Sequence, residues 1–153
     1  AGPADAEIKK VRSILGLMKT TPVDLSGRLR LKHLVVLSAR AAFFFGVDSA
    51  PMHIAAATGI RVVALFGPSG AFDWGPWPAE GFKKEAISAG GFDSPYAKKG
   101  GVQYSGGNVV IQKDWPCVPC GKDGCAGTKR SRCLDELEGP YVWSILKEAF
   151  KLR

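Results

Sequence analysis

Residues 41–70 constrain the fold more than any other part of the chain. They open with a short apolar run over 41–45, Ala-Ala-Phe-Phe-Phe, which reads as a buried strand. Gly46 reads as the turn after it. Asp48 and Ser49 are good N-cap residues, and Pro51 suits a first helical turn. Met52 to Ala57 is apolar nearly all round apart from His53, so it predicts a short buried helix, with Gly59 placed to end it. A second apolar run, Arg-Val-Val-Ala-Leu-Phe over 61–66, is broken by Gly67-Pro68-Ser69-Gly70. Strand, helix and strand within about 25 residues make a compact βαβ unit, which requires a parallel pair joined by a right-handed crossover. Both strands, 43–45 and 62–65, lack polar alternation. They are therefore expected as interior strands covered on both faces.

This unit already locates a site. Parallel strands joined by a crossover end on the same edge of the sheet, and ligands of open α/β sheets bind there. Asp48 to His53 and Gly67 to Gly70 are thus expected as neighbours around one pocket. A helix start offers free N–H groups and favours anions, phosphates above all. Helical side chains lean toward the N-terminus, so His53 leans toward that anion site. The alternative for His53 is a hydrogen-bonded core histidine, since partial burial is ordinary for this residue.

Val47-Asp48-Ser49-Ala50-Pro51-Met52-His53-Ile54-Ala55-Ala56-Ala57, followed by Val63-Ala64-Leu65-Phe66-Gly67-Pro68 and Trp74-Gly75-Pro76-Trp77, resembles the bacterial heptosyltransferases of glycosyltransferase family 9. The later run Asp114-Trp115-Pro116-Cys117-Val118-Pro119-Cys120, reaching Cys133-Leu134, is similar to the heptosyltransferase III-like branch, which adds a side heptose to the lipopolysaccharide inner core. The resemblance covers nearly the whole chain, with the motifs in the same order. Ala50 departs from it, because many members carry Gly there; a Cβ leaves less room for backbone approach to a phosphate.

The resemblance implies an α/β fold: a Rossmann-like parallel sheet with helices on both faces, the C-terminal, donor-binding half of a GT-B glycosyltransferase. It further implies that the chain is a fragment, incomplete at its N-terminal end, with the N-terminal acceptor domain absent. The implied donor is ADP-L-glycero-D-manno-heptose and the acceptor a lipopolysaccharide inner-core heptose. The implied donor-binding residues are Asp24, Asp48, Ser49, Ala50, Pro51, Met52, His53, Gly67 and Pro68. No catalytic residue is expected here, since the general base belongs to the missing domain, and no cofactor is expected. A cytoplasmic location follows, with peripheral contact at the acidic inner face of the inner membrane as a further expectation.

The rest of the chain is consistent with this outline. A first helix is expected over 4–18, with Asp5 and Glu7 in its first turn and Ile8, Val11, Leu15 and Met18 as its apolar stripe. Residues 21–25 read as a short strand ending near Asp24, and 29–38 as a helix with Leu31, Leu34, Val35 and Leu37 as its apolar residues. Asp24 either holds ribose hydroxyls, as a carboxylate does in dinucleotide sites, or serves the Ser26-Gly27 turn. Trp74 and Trp77 either cover a base or sugar or pack within a loop. Short strands are expected over 85–88 and 108–112. Between them, Gly90-Gly91, Gly100-Gly101 and Gly106-Gly107 with Lys98 and Lys99 read as flexible loop. A last helix is expected over 139–153, with Pro140 at its start and Val142, Ile145, Leu146, Ala149 and Phe150 inward.

Charge and cysteines bound the alternatives. The formal charge of +7, from 21 basic and 14 acidic residues, favours anionic partners or simply a soluble surface. No apolar run approaches the ~18 residues of a membrane span. Cys117, Cys120, Cys125 and Cys133 are the four cysteines. Their Cys-x-x-Cys pair is used by zinc ribbons and redox sites, but no nearby His completes a finger. Structural metal, reduced thiols and a local disulfide all remain open, and no metal site is assigned. Zinc here, with Lys113, Lys122, Lys129 and Arg130 around it, gives the rival reading, a basic zinc-containing nucleic-acid-binding module. That reading leaves the βαβ core unexplained and lacks an aromatic RNA-binding signature, so nucleic acid is not expected as a partner. A dinucleotide dehydrogenase is excluded by the absence of a Gly-x-Gly-x-x-Gly turn.

Overall fold

A computed structural model of the chain describes residues 5–77 and 94–151. It divides into two compact units, Ala1–Leu37 and Ser38–Arg153. The strand expected over 85–88 lies outside the described residues.

In the first unit, α1 spans Asp5–Leu15, with Asp5 and Glu7 in its first turn and Arg12 in its last, an order of charges that matches the helix dipole. Ile8, Val11 and Leu15 are half-buried as the stripe requires, while Met18 lies beyond the helix and is exposed. Residues 21–25 form no strand. Their backbone has no ladder partner, and Pro22 removes one of the donors such a ladder would use. Helix α2 spans Leu31–Arg40. It begins two residues later than the pattern predicts. Of its expected apolar positions Leu34 is half-buried, whereas Leu31, Val35 and Leu37 are exposed.

The second unit is a four-stranded sheet in the order β1-β2-β4-β3, where β1 is Phe43–Val47, β2 Arg61–Leu65, β3 Val102–Ser105 and β4 Asn108–Ile111. Strands β1, β2 and β4 are parallel. The β1–β2 register pairs Phe44 with Val62 and Gly46 with Ala64. Helix α3, Ala50–Ala57, is the crossover between them. The strand runs on through Gly46 to Val47, so the turn comes at Asp48. Here a pleated side chain at position 46 would strike the Phe44 ring, which makes glycine compatible with the strand rather than a breaker of it.

Alternate residues of β2 and β4 supply two separate cores. Val62, Ala64, Phe66 and Val110 pack with Met52, Ala55 and Ala56 of α3. Val63, Val109 and Ile111 pack on the other face with Val142, Ile145 and Leu146. These last belong to the C-terminal helix Gly139–Phe150, which has Pro140 in its first turn and Lys151 as a left-handed cap. Helices thus cover both faces, and the unbroken apolarity of β2 follows from that. Each fully buried Val, Met or Phe contributes about 1.5–3 kcal/mol by leaving water.

Two further expectations are corrected. Strand β1 is not interior: it lies at the edge of the described sheet, with Phe45 and Val47 at 47% and 45% exposure. Its first two residues are half-buried: Phe43 stacks on Phe150 at 4.7 Å, and Phe44 packs against the core on the α3 face. The Gly-rich stretch after residue 100 is not all loop. Residues 102–105 form β3, antiparallel to β4 across the Gly106-Gly107 turn. Glycine here marks a hairpin, and Val102-Gln103-Tyr104-Ser105 is too short to show a clear period of two.

Candidate functional site

The C-terminal ends of β1 and β2 lie side by side. The link is direct: the Asp48 N–H donates to the Leu65 carbonyl at 3.2 Å, and the Ser69 hydroxyl donates to the Asp48 carboxylate at 2.6 Å. The turns after the two strands are therefore neighbours, as the crossover topology demands. Ser69 is the residue that joins them, and it was not singled out from the sequence.

The start of α3 has fewer free donors than the sequence predicts. Ser49 is its N-cap, with extended backbone, but its hydroxyl turns back to the Val47 carbonyl at 3.0 Å and makes no cap bond. Its own carbonyl accepts from both the Met52 and the His53 N–H, and Pro51 has none to give. Among the described residues, the Ser49 and Ala50 N–H groups have no acceptor. The anion-binding capacity of this helix start therefore rests on two amides and not on a full turn. Met52 is wholly buried, so its side chain serves the core. His53 is half-buried, and no hydrogen bond to its imidazole is present among the described residues. The reading of His53 as a hydrogen-bonded core residue thus lacks its hydrogen bond.

The second turn is held by a buried amide. Gln112, 2% exposed, donates through Nε2 to the carbonyls of Gly67 at 2.7 Å and Ser69 at 2.8 Å. Gly67 is buried, and a Cβ there would press on Leu134 at 3.3 Å. Its lack of a side chain serves close packing. The Pro68 carbonyl accepts from the N–H groups of Cys120 and Gly121, at 3.0 and 2.8 Å. That pair of bonds fixes the Cys-rich loop to the end of β2. Asn108 makes a matching clamp at the other end of β4, accepting from the Val62 N–H and donating to the Pro76 carbonyl. The sequence held a signal for both amides: each flanks the apolar run Val-Val-Ile, where a polar side chain must find partners once the strand is buried.

The motif Trp74-Gly75-Pro76-Trp77 separates into parts. A Cβ on Gly75 would run into the Tyr96 ring, and the buried Tyr96 hydroxyl donates to Pro76 at 2.6 Å. Burial pushes the Tyr96 phenol well above its usual range. Trp77 is half-buried, whereas Trp74, on the short helix α4 (Ala71–Trp74), is 57% exposed.

Asp24 lies in the first unit. Its carboxylate accepts from both the N–H and the hydroxyl of Ser26, the Asx-turn use of such a residue. Those bonds hold its pKa below the usual carboxylate value. The four cysteines are free thiols: Cys117 and Cys120 exposed, Cys125 half-buried, Cys133 buried. Burial, with Cys125 and Cys120 nearby, pushes the Cys133 thiol up. Among the described residues no group of three or more His, Cys, Asp or Glu side chains is arranged to hold a metal ion, and no helix is long and apolar enough to cross a membrane.

The family model for glycosyltransferase family 9 (heptosyltransferase) matches residues 1–89, more than half of the chain and all of the turns just described. The chain belongs to glycosyltransferase family 9. Within the family, a 77-residue stretch is 40% identical to lipopolysaccharide heptosyltransferase 3 of Escherichia coli, covering 50% of this chain and 22% of that protein. A 66-residue stretch is 33% identical to the lipopolysaccharide core heptosyltransferase OpsX of Haemophilus influenzae, covering 43% and 19%. Lipooligosaccharide heptosyltransferase 2 of Campylobacter jejuni is 24% identical over 152 residues, 99% of this chain and 39% of that protein. The chain therefore spans between about a fifth and two fifths of the length of these relatives. A crystal structure of a family 9 glycosyltransferase from Veillonella parvula aligns with 57% of this chain and 26% of its own, at 28% identity and a TM-score of 0.46.

Proposed function

We propose that this family 9 chain is the donor-binding part of an inverting GT-B glycosyltransferase that transfers heptose from ADP-L-glycero-D-manno-heptose to the lipopolysaccharide inner core. The observation that carries the reading is the joined pair of turns at Asp48–His53 and Gly67–Ser69, on the ligand-binding edge of a parallel sheet. The relatives' names, lipopolysaccharide and lipooligosaccharide heptosyltransferases, supply the sugar and the acceptor class. The rival reading, a zinc-containing nucleic-acid-binding module, finds no support in the family match or in those names.

In this mechanism the sugar becomes cation-like as ADP departs with growing negative charge. The Ser49 and Ala50 amides at the positive end of α3 stabilise that charge, as preorganised dipoles do. His53 adds a donor from the first turn. Asp48 bears the wrong sign for a diphosphate. It holds the turn through Ser69, and its remaining acceptor capacity suits a sugar hydroxyl. Asp24 is a proposed ribose contact, carried by the resemblance. The acceptor's general base lies in an N-terminal acceptor domain that this chain does not contain. The proposed setting is the cytoplasm, at the acidic inner face of the inner membrane, to which a chain of charge +7 is attracted.

Calorimetric titration with ADP and ADP-heptose tests the reading, on this chain and on a longer protein that includes the acceptor domain. Saturable binding of both ligands by this chain is the expected result, with heptose transfer by the longer protein alone. Transfer by the chain itself would mean that the base has been misplaced, and absence of nucleotide binding by both proteins would refute the donor site.

A further inference from the structure

Three consecutive carbonyls of the turn after β2 are each bonded to a group distant in sequence. Those of Gly67 and Ser69 accept from one atom, the Gln112 Nε2, at 2.7 and 2.8 Å. The Pro68 carbonyl between them accepts from the Cys120 and Gly121 N–H groups, at 3.0 and 2.8 Å. The Gly67 carbonyl is buried and has to be satisfied within the protein. Pro68 and Ser69 are half-buried, where solvent is able to satisfy a carbonyl. Both line an open cleft of about 470 Å³ whose far wall is the Cys-rich loop at Gly121 and Lys122. This turn is therefore held more firmly than core packing requires, beside open space.

What the firmness fixes is Ser69. Its carbonyl is held by Gln112, and its hydroxyl donates to the Asp48 Oδ2 at 2.6 Å. Ser69 cannot swing without breaking one of those bonds, so it presents its hydroxyl to Asp48 in one direction. Asp48 is held separately at its main chain, where its N–H donates to the Leu65 carbonyl at 3.2 Å. Its side chain is half-buried, and among the described residues Oδ1 has no hydrogen bond. An ionised carboxylate accepts at both oxygens. The bond from Ser69 to Oδ2 thus leaves Oδ1 aimed and free to accept. The entropy of ordering this side chain is then not a cost of binding a ligand.

We propose that Ser69, anchored by Gln112, is a positioning residue that aims the Asp48 carboxylate at a hydroxyl of the donor's sugar. Both residues act through Asp48 and not by contact with the ligand. The Ser49 and Ala50 amides are set by the main chain, through the Asp48–Leu65 bond and the first turn of α3, so they do not depend on where the carboxylate points. Loss of the Ser69 hydroxyl therefore separates the two halves of a nucleotide sugar: the sugar contact weakens and the diphosphate contact stays. This inference rests on the donor-binding reading above, in which Asp48 meets the sugar and the amides meet the diphosphate.

The test is calorimetry with ADP and ADP-heptose on this chain, and the readout is the ratio of the two affinities. A merely structural residue lowers both affinities and leaves that ratio alone. Ser69→Ala should lower the ratio about tenfold, the loss of one hydrogen bond to a charged group, and Ser69→Thr, which keeps the hydroxyl, should restore it. Asp48→Ala should lower the ratio as well, and Ser69→Ala should add nothing in that background, because its effect passes through the carboxylate. Gln112→Met, of similar length but without a donor, should lower the ratio in the same direction. Folding is checked by circular dichroism, and the half-buried Ser69 keeps the test decisive if Gln112→Met does not fold. An unchanged ratio in Ser69→Ala or in Asp48→Ala, a Thr that restores nothing, or a further tenfold fall in the double variant overturns the proposal. ADP binding by the parent chain then still keeps the donor reading. If the parent binds neither nucleotide, the donor reading itself fails and the positioning role falls with it.

Discussion

His53, Gln112 and Gly75 illustrate three different uses of a single residue at this sheet edge. His53 was visible in the sequence as the one ionisable group inside an apolar helix, and its imidazole has no partner among the described residues. On the donor reading, His53→Ala should weaken ADP binding by ~1–3 kcal/mol, the range for a hydrogen bond to a charged group, with thermal stability unchanged. ADP binding like that of the parent would leave the anion site to the amides alone. The sequence marked Gln112 only as a polar residue beside a buried strand; its partners, carbonyls 43 and 45 positions away, were not legible. Gln112→Leu leaves the buried Gly67 carbonyl and the half-buried Ser69 carbonyl without this donor and should cost about 1–3 kcal/mol of stability for the lost bonds, read from urea unfolding. Gly75 sits in a motif that looks functional from its tryptophans, yet the need for glycine there comes from the Tyr96 ring and the Ala71 carbonyl. Gly75→Ala should destabilise by about 1–3 kcal/mol through overpacking, and combining it with Tyr96→Ala should give a less than additive loss, because the ring contact is then gone while the approach to the Ala71 carbonyl at 2.6 Å remains.

Among the elements, the βαβ unit was the most legible. Its apolar run, helix signals and Gly-Pro break agree with one another, and the structure shows the parallel pair they require. Met52 makes the point in energy: wholly buried against β2, its replacement by Ala should cost about 2–5 kcal/mol, measured by denaturant titration. What failed at this scale were short or Gly-flanked segments. Residues 21–25 have a strand's composition without a neighbour, and β3 has a neighbour without a strand's signature. A strand is defined by its partner, which lies elsewhere in the chain, so composition alone misjudged both. The start of α3 failed differently. Cap residues were correctly identified, but where the Ser49 hydroxyl turns and which amides remain free depend on the loop geometry around Val47 and Ser69.

For the molecule as a whole, pH reports how burial is distributed. Tyr96 and Cys133 both have pKa values raised by burial, so the folded state holds their protons more tightly than the unfolded state. That contribution is complete below the unfolded values of 9.0 for the thiol and 10.0 for the phenol. It is lost as pH rises past them. Stability should therefore fall from about pH 9 upward, and Tyr96→Phe should flatten that fall above pH 10 in a series of thermal melts. Asp24, with its pKa lowered by Ser26, acts in the opposite sense: its contribution is present above the ordinary carboxylate pKa and declines as pH falls below it. The sequence by itself determined the fold class, the parallel pair, the crossover helix and the shared sheet edge on which the two turns lie. These follow from local periodicity and from the handedness of the chain. It also determined the family, through motifs that occur in order. Tertiary structure alone decided that β1 lies at the edge of the described sheet, that Ser69 ties the two turns, that Gln112 clamps the second, and that the Cys-rich loop walls the cleft beside them. Each of these joins residues distant in sequence, and a local pattern carries no record of which distant group will satisfy a buried donor or fill a given face.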